Sequence, residues 1–138
     1  MAHTGQELSG PGGLVLRIVA VEPDLLEMDA TYSGEGPMPP MHLHPRQAER
    51  FEVLEGTMLT VVDGVERSYE TGAVFDVPAG TPHQMRADGP ARVRWEVRPA
   101  LRTAEFFERM YTSPPQGAEE GAAFLQEFNE EFQLAGDG

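Results

Sequence analysis

Apolar residues recur at alternate positions in short runs through the first hundred residues, and turn-forming residues divide the runs. Residues 14–21 form an apolar, β-rich run, Pro23-Asp24 reads as a turn, and residues 25–32 resume as a second strand. Gly34, Gly36, Pro37, Pro39 and Pro40 make the next stretch a loop. Phe51 and Val53 then alternate with Arg50, Glu52 and Leu54, and Glu49 falls in phase with the apolar set. Asp63-Gly64 is a two-residue hairpin signal, a pair that favours φ > 0 at both centres. Residues 74–77 end at Pro78, and Asp88-Gly89 is another hairpin signal. Val93, Trp95 and Val97 alternate with Arg92, Arg94, Glu96 and Arg98, so one face is buried and the other charged. Many short strands at regular spacing predict an all-β sandwich or barrel.

The period changes beyond residue 100. Phe106, Phe107, Met110 and Tyr111 share one side of a predicted helix over residues 103–111, and Pro114-Pro115 interrupts it. Phe124, Leu125, Phe128 and Phe132 recur at helical spacing in a second segment. The chain thus divides into three regions: residues 1–13, rich in Gly, Ser and Pro and expected to be disordered; a β-barrel over residues 14–100; and a helical extension over residues 101–138. The aromatic stripe is expected to pack across the outside of the barrel or against a partner subunit, and the alternative is a lid over its mouth.

Composition removes whole classes of chemistry. There is no cysteine, which excludes disulfides, thiolate ligands and thiol nucleophiles, and no lysine, which excludes Schiff-base catalysis. A net charge of −13 opposes nucleic-acid binding. Glu119, Glu120, Glu127, Glu130 and Glu131 concentrate charge near the end of the chain and read as a solvated helix face. No apolar stretch is long enough to span a bilayer, and no secretion signal is visible, so no membrane partner and a cytoplasmic location are expected.

The candidate chemistry lies in mid-chain. His42 and His44 flank Leu43, and positions i and i+2 of a strand share a face. Glu49 opens the next alternation, and His83 follows the turn signal Pro78-Ala79-Gly80, from which an antiparallel neighbour can reach the same point. Three imidazoles and one carboxylate form a mid-hard donor set for one divalent ion among Fe, Mn, Ni, Cu, Co and Zn. His3, in the N-terminal segment, reads as a surface residue.

These residues sit inside a specific pattern. The stretch from Gly36 through His42, His44 and Glu49 to Gly56 resembles the first motif of the cupins, and the stretch from Gly72 through Pro78 and Gly80 to His83 resembles the second. The resemblance implies a double-stranded β-helix, the cupin jelly-roll barrel, with His42, His44, Glu49 and His83 as metal ligands inside it. One position departs: the second motif usually ends in Asn, here Ala87, and Asp88-Gly89 is expected to take over the turn that the Asn supports.

Met41, Phe51, Met58, Met85 and Trp95 are candidates for an apolar, pliable substrate wall around the ion, with Met38 also preceding the ligands. The chain is similar to small single-domain cupins grouped with quercetin dioxygenase-like proteins. That similarity implies a metal-dependent enzyme acting on a small organic substrate, an oxygenase in which Glu49 serves as base as well as ligand. A Zn-dependent cyclase or isomerase of the polyketide-cyclase kind and a non-catalytic small-molecule-binding cupin are the alternatives. The resemblance also implies a homodimer, for which the strand over residues 14–21 and the aromatic C-terminal segments are the candidate surfaces.

Overall fold

A computed structural model describes residues 2–135. Its strands are β1 (Glu7–Ser9), β2 (Val15–Glu22), β3 (Leu25–Tyr32), β4 (His42–Leu43), β5 (Ala48–Glu55), β6 (Thr57–Val62), β7 (Val65–Glu70), β8 (Val74–Val77), β9 (His83–Ala87), β10 (Ala91–Arg98) and β11 (Gln133–Leu134). Two helices, α1 (Thr103–Thr112) and α2 (Gly117–Glu127), lie between β10 and β11. One sheet runs β1-β2-β3-β10-β5-β8 and the other β11-β4-β9-β6-β7, so neighbours far apart in sequence alternate between two facing sheets. The strand pairs are antiparallel. This is the all-β double-stranded β-helix.

The turns form as their residues dictate. Asp63 and Gly64 both take positive φ, 50° and 78°, and join β6 to β7 as a tight hairpin. At Gly56, φ is 83° and a Cβ would stand 2.4 Å from the Pro90 carbonyl oxygen, so both backbone and space demand glycine. Gly89 supplies the positive φ after Ala87, and the Asp88 N–H donates to the Thr57 carbonyl at 2.9 Å. Asp88-Gly89 thus closes the turn without an Asn at position 87.

Two apolar clusters share the inner face of the first sheet. Directly opposed residues of an antiparallel pair point to one side. Val93 opposes both Ala30 and Val53, and Val97 opposes Leu26 and Glu49, so all face inward together. The second sheet covers the β5–β8 side, burying Phe51, Val53, Met58, Phe75, Val77 and Val93. Over the β1–β3 side, α1 and α2 take its place, packing Phe106, Phe107, Phe124 and Phe128 onto Leu16, Ile18, Leu26 and Met28.

The helical extension therefore covers the inner face of the sheet and not the outside of the barrel. It fills the space that a five-stranded second sheet leaves open beside a six-stranded first one. Two further expectations change. Residues 7–9, placed in a disordered segment, form β1, because Glu7, Leu8 and Ser9 pair with Arg17, Leu16 and Val15 and bury Leu8 to 2% exposure. The second helical stretch stops at Glu127, and Phe132 lies beyond it in the turn that leads into β11. The first comes from pairing with the neighbouring strand β2 and the second precedes pairing with the distant strand β4, and composition alone contains neither.

Candidate metal centre

β4 and β9 lie side by side with His42 directly opposite His83. His44 follows β4 by one residue, and Glu49 is the second residue of β5 on the facing sheet. The ligand nitrogens of His42, His44 and His83 all lie within 4.8 Å of one another. Glu49 Oε1 stands 3.2 Å from His44 Nε2 and 3.0 Å from His83 Nε2. His44, Glu49 and His83 are 5%, 2% and 2% exposed, so water does not screen the cluster. The structure brings His42, His44 and His83 together and sets Glu49 against two of them.

Main-chain carbonyls orient each imidazole. The Nδ1 atoms of His42, His44 and His83 approach the carbonyls of Pro40, Glu131 and Thr81 at 3.0, 2.8 and 2.8 Å. A carbonyl only accepts, so each Nδ1 carries the proton and each Nε2 presents a bare lone pair. On the other side of the cluster the Trp95 indole N–H donates to Glu49 Oε2 at 2.7 Å, leaving Oε1 turned toward the histidines. Among the described residues, His44 Nε2 and Glu49 Oε1 are buried without a hydrogen-bond partner. Two acceptors facing each other at about 3 Å require positive charge between them, either a proton or a cation.

The residues present fit a metal ion. Two donor atoms each about 2.1 Å from one ion stand about 3 Å apart at a right angle, which matches the Glu49–imidazole spacings. The Nδ1–carbonyl bonds are the outer-shell contacts that fix ligating imidazoles in this tautomer.

Without a cation, charge redistributes within the cluster. Burial raises the Glu49 carboxyl, but hydrogen bonding and charge from His44 and then His83 outweigh it and hold Glu49 at about 2. Burial lowers His42 to about 4. For His44, burial is outweighed by Glu49 and the Glu131 carbonyl, and its pKa rises.

The apolar candidates divide. Phe51 stacks on Phe75 and Trp95 with centroids 5.0 and 5.4 Å apart, and with Met58 it is fully buried in the core. Met85 and Trp95 are partly buried at the edge of that core, and Met41 is half-buried beside β4, where its carbonyl accepts from Ala135. Met38 is directed elsewhere: with Leu59 and Val61 it lines a groove on the outer face of β6 and β7, away from the histidines. Leu59 and Val61 alternate with the buried Met58 and Thr60, which places them on that outer face.

The C-terminal extension supplies partners that residue types did not reveal. Phe132 stacks on His42 with centroids 5.0 Å apart and rings inclined 21°, and β11 pairs with β4, Leu134 opposite His42. Phe132 was visible as part of the aromatic periodicity. The Glu131 carbonyl carried no signal, since every residue has one.

A match to the family model described as Cupin domain spans residues 29–97, half of the chain. The chain belongs to the cupin family. This cupin is 35% identical over 63 residues to quercetin 2,3-dioxygenase of Bacillus subtilis (strain 168), a stretch covering 46% of this chain and 19% of that enzyme. The cupin chain thus spans less than a fifth of that enzyme's length. Among solved structures it resembles KdgF from Halomonas sp., with a TM-score of 0.62 at 24% identity over 68% of this chain and 86% of that one. It also resembles an RmlC-like cupin from Shewanella frigidimarina NCIMB 400, with a TM-score of 0.65 at 22% identity over 72% and 87% of the two chains. These likenesses show the fold. No helix among the described residues is long and apolar enough to cross a membrane.

Proposed function

We propose that this cupin is a metal-dependent enzyme acting on a small organic substrate, and that the reaction is an oxygenation. The observation that carries the reading is the convergence of three Nε2 lone pairs and one carboxylate oxygen, each held by a contact on its far side. His42, His44, Glu49 and His83 would hold one divalent ion. A redox-active ion held there supplies Lewis acidity and an electron path to dioxygen. The similarity to quercetin 2,3-dioxygenase favours a phenolic or enolic substrate.

The chain's own residues divide the remaining work. Glu49 Oε1 accepts the proton of an acidic substrate hydroxyl, while Trp95 keeps Oε2 occupied and so selects which oxygen acts. Met41, Met85 and Trp95 offer apolar walls to a flat molecule, and Phe51 and Met58 back that wall from the core. Burial excludes bulk water from the reacting atoms.

Metal analysis of the purified chain, followed by oxygen uptake with phenolic and enolic compounds, tests the reading. One redox-active ion per chain and substrate-dependent uptake are expected. His44→Ala should lose most of the metal, and Glu49→Gln should lower turnover per bound ion by about 10²–10⁴-fold. Zinc with no oxygen uptake would favour a cyclase or isomerase, and tight substrate binding without turnover would favour a binding protein.

A further inference from the structure

The last strand leaves the helices and returns to the ligand strand. The His44 Nδ1–H donates to the Glu131 carbonyl at 2.8 Å, across 87 positions of sequence. The Phe132 ring lies stacked on His42 and edge-on to His44, with centroids 5.0 and 6.1 Å away. Beyond it β11 pairs with β4, and the Ala135 N–H donates to the Met41 carbonyl at 3.0 Å. Two of the three histidines are thus touched by one stretch of chain that lies outside the matched domain.

That stretch is anchored from behind. The Glu131 side chain is 4% exposed, and its Oε2 accepts from the Arg102 main-chain N–H at 3.2 Å, at the start of α1. The Glu131 and Phe132 N–H groups both donate to the Phe128 carbonyl at 2.9 Å. Arg46, in the loop between His44 and Glu49, meets Glu130 at 2.8 Å. The carbonyl that orients His44 is therefore held by contacts to α1, to the end of α2 and to the ligand loop.

We propose that residues 131–135 are a positioning element of the metal centre: the Glu131 carbonyl sets the tautomer and aim of His44, and Phe132 fixes the plane of His42. The inference rests on the metal reading given above. An imidazole without its Nδ1–H acceptor rotates and can exchange tautomers, and either change moves Nε2 off the common point. Because β11 is only two residues long and Leu134 is 53% exposed, the outer end of this strap, residues 133–135, is weakly held, and its docking and the ion's binding reinforce each other.

The test uses Co(II) as the probe, read by chelator competition and by its visible absorption, on the intact chain, on a chain ended after Glu130, and on Phe132→Ala and Phe132→Tyr. We expect the shortened chain to bind Co(II) about 10–100-fold more weakly and with altered absorption, as for the loss of an outer-shell partner. Phe132→Ala should weaken binding in the same sense, and Phe132→Tyr should restore it. Amide exchange at residues 131–135 of the intact chain should slow when Co(II) is added. Unchanged affinity and spectrum in the shortened chain and in Phe132→Ala would overturn the inference while leaving the metal reading intact. If the shortened chain does not fold, Phe132→Ala and its Tyr rescue decide alone, with far-UV circular dichroism of the metal-free proteins as the folding control. Failure of the intact chain to bind Co(II) would overturn both.

Discussion

Glu49 and Trp95 show how much one residue's environment decides. A carboxylate at 2% exposure is costly unless both oxygens have partners, and among the described residues only one of them has a hydrogen-bond donor. Oε2 takes the Trp95 N–H, while Oε1 faces two imidazoles. Trp95→Phe keeps an aromatic ring against Phe51 and Phe107 but removes that donor. It should cost about 1–3 kcal/mol, the penalty for stranding a buried acceptor, measured as a lower denaturant midpoint at unchanged slope. Glu49 was legible in the sequence because it falls in phase with Phe51 and Val53. Its Trp95 partner was not, since Trp95 also fits the inward alternation of its own strand and its N–H points to no partner by spacing alone. Gln47 is a similar case: it reads as a loop residue, yet its side-chain amide donates to the Pro99 and Ala100 carbonyls and to Thr103 Oγ1, tying the ligand loop to the start of α1.

At the level of elements, strands and hairpins followed the alternation closely because each side chain had to choose a face. The expected run over residues 25–32 is β3 itself, and the Asp63-Gly64 turn has the φ signs its residues require. Where the helices pack was not legible, because an aromatic stripe does not say which surface it meets. Phe106, Phe124 and Phe128 pack against one another, with centroid separations of 5.0–5.5 Å, and are buried within one chain. These rings are thus covered without a partner subunit. Phe124→Ala should cost about 3–5 kcal/mol of stability and leave the mass measured by light scattering unchanged. Outside this cluster, Arg102 and Arg109 both pair with Glu127, at 2.9 and 2.6 Å, and lie over the Phe128 ring. The arginines hold the Glu127 carboxyl below its usual value, as Arg102 does for Glu105. A depressed carboxylate contributes stability that is fully present above the unfolded-state pKa and is lost as pH falls through the folded one. Proteolysis of α2 should therefore quicken only once pH falls below the ordinary carboxylate value of 4.5, and Glu127→Gln should shrink that dependence; salt should weaken the clamp because the pairs are solvent-exposed.

For the whole molecule, the matched domain ends at residue 97, yet the inner face of its larger sheet is completed only by the two helices of the C-terminal extension. β1, β2 and β3 extend that sheet beyond the reach of β4, β9, β6 and β7, and an uncovered row of Leu16, Ile18, Leu26 and Met28 would be exposed to water. α1 and α2 resolve this by burying aromatic rings there, and the chain then has to cross back past the histidines to reach β11. Covering the core and closing the metal site are consequences of one path. This decides what ending the chain after Ser113 should do. If the extension were packing alone, the folded fraction would keep its metal affinity. If it were a lid alone, stability would be unchanged and only access would alter. Because the same segment carries Phe124 and Phe128 into the core and the Glu131 carbonyl to His44, the shortened chain should lose both stability and Co(II) affinity. The two losses are separable by site. Phe124→Ala should lower the unfolding midpoint with little change in affinity for the folded fraction, and Phe132→Ala should do the reverse. A shortened chain that lost stability yet bound Co(II) as tightly as the intact chain would show that the return path past His44 is incidental to the site.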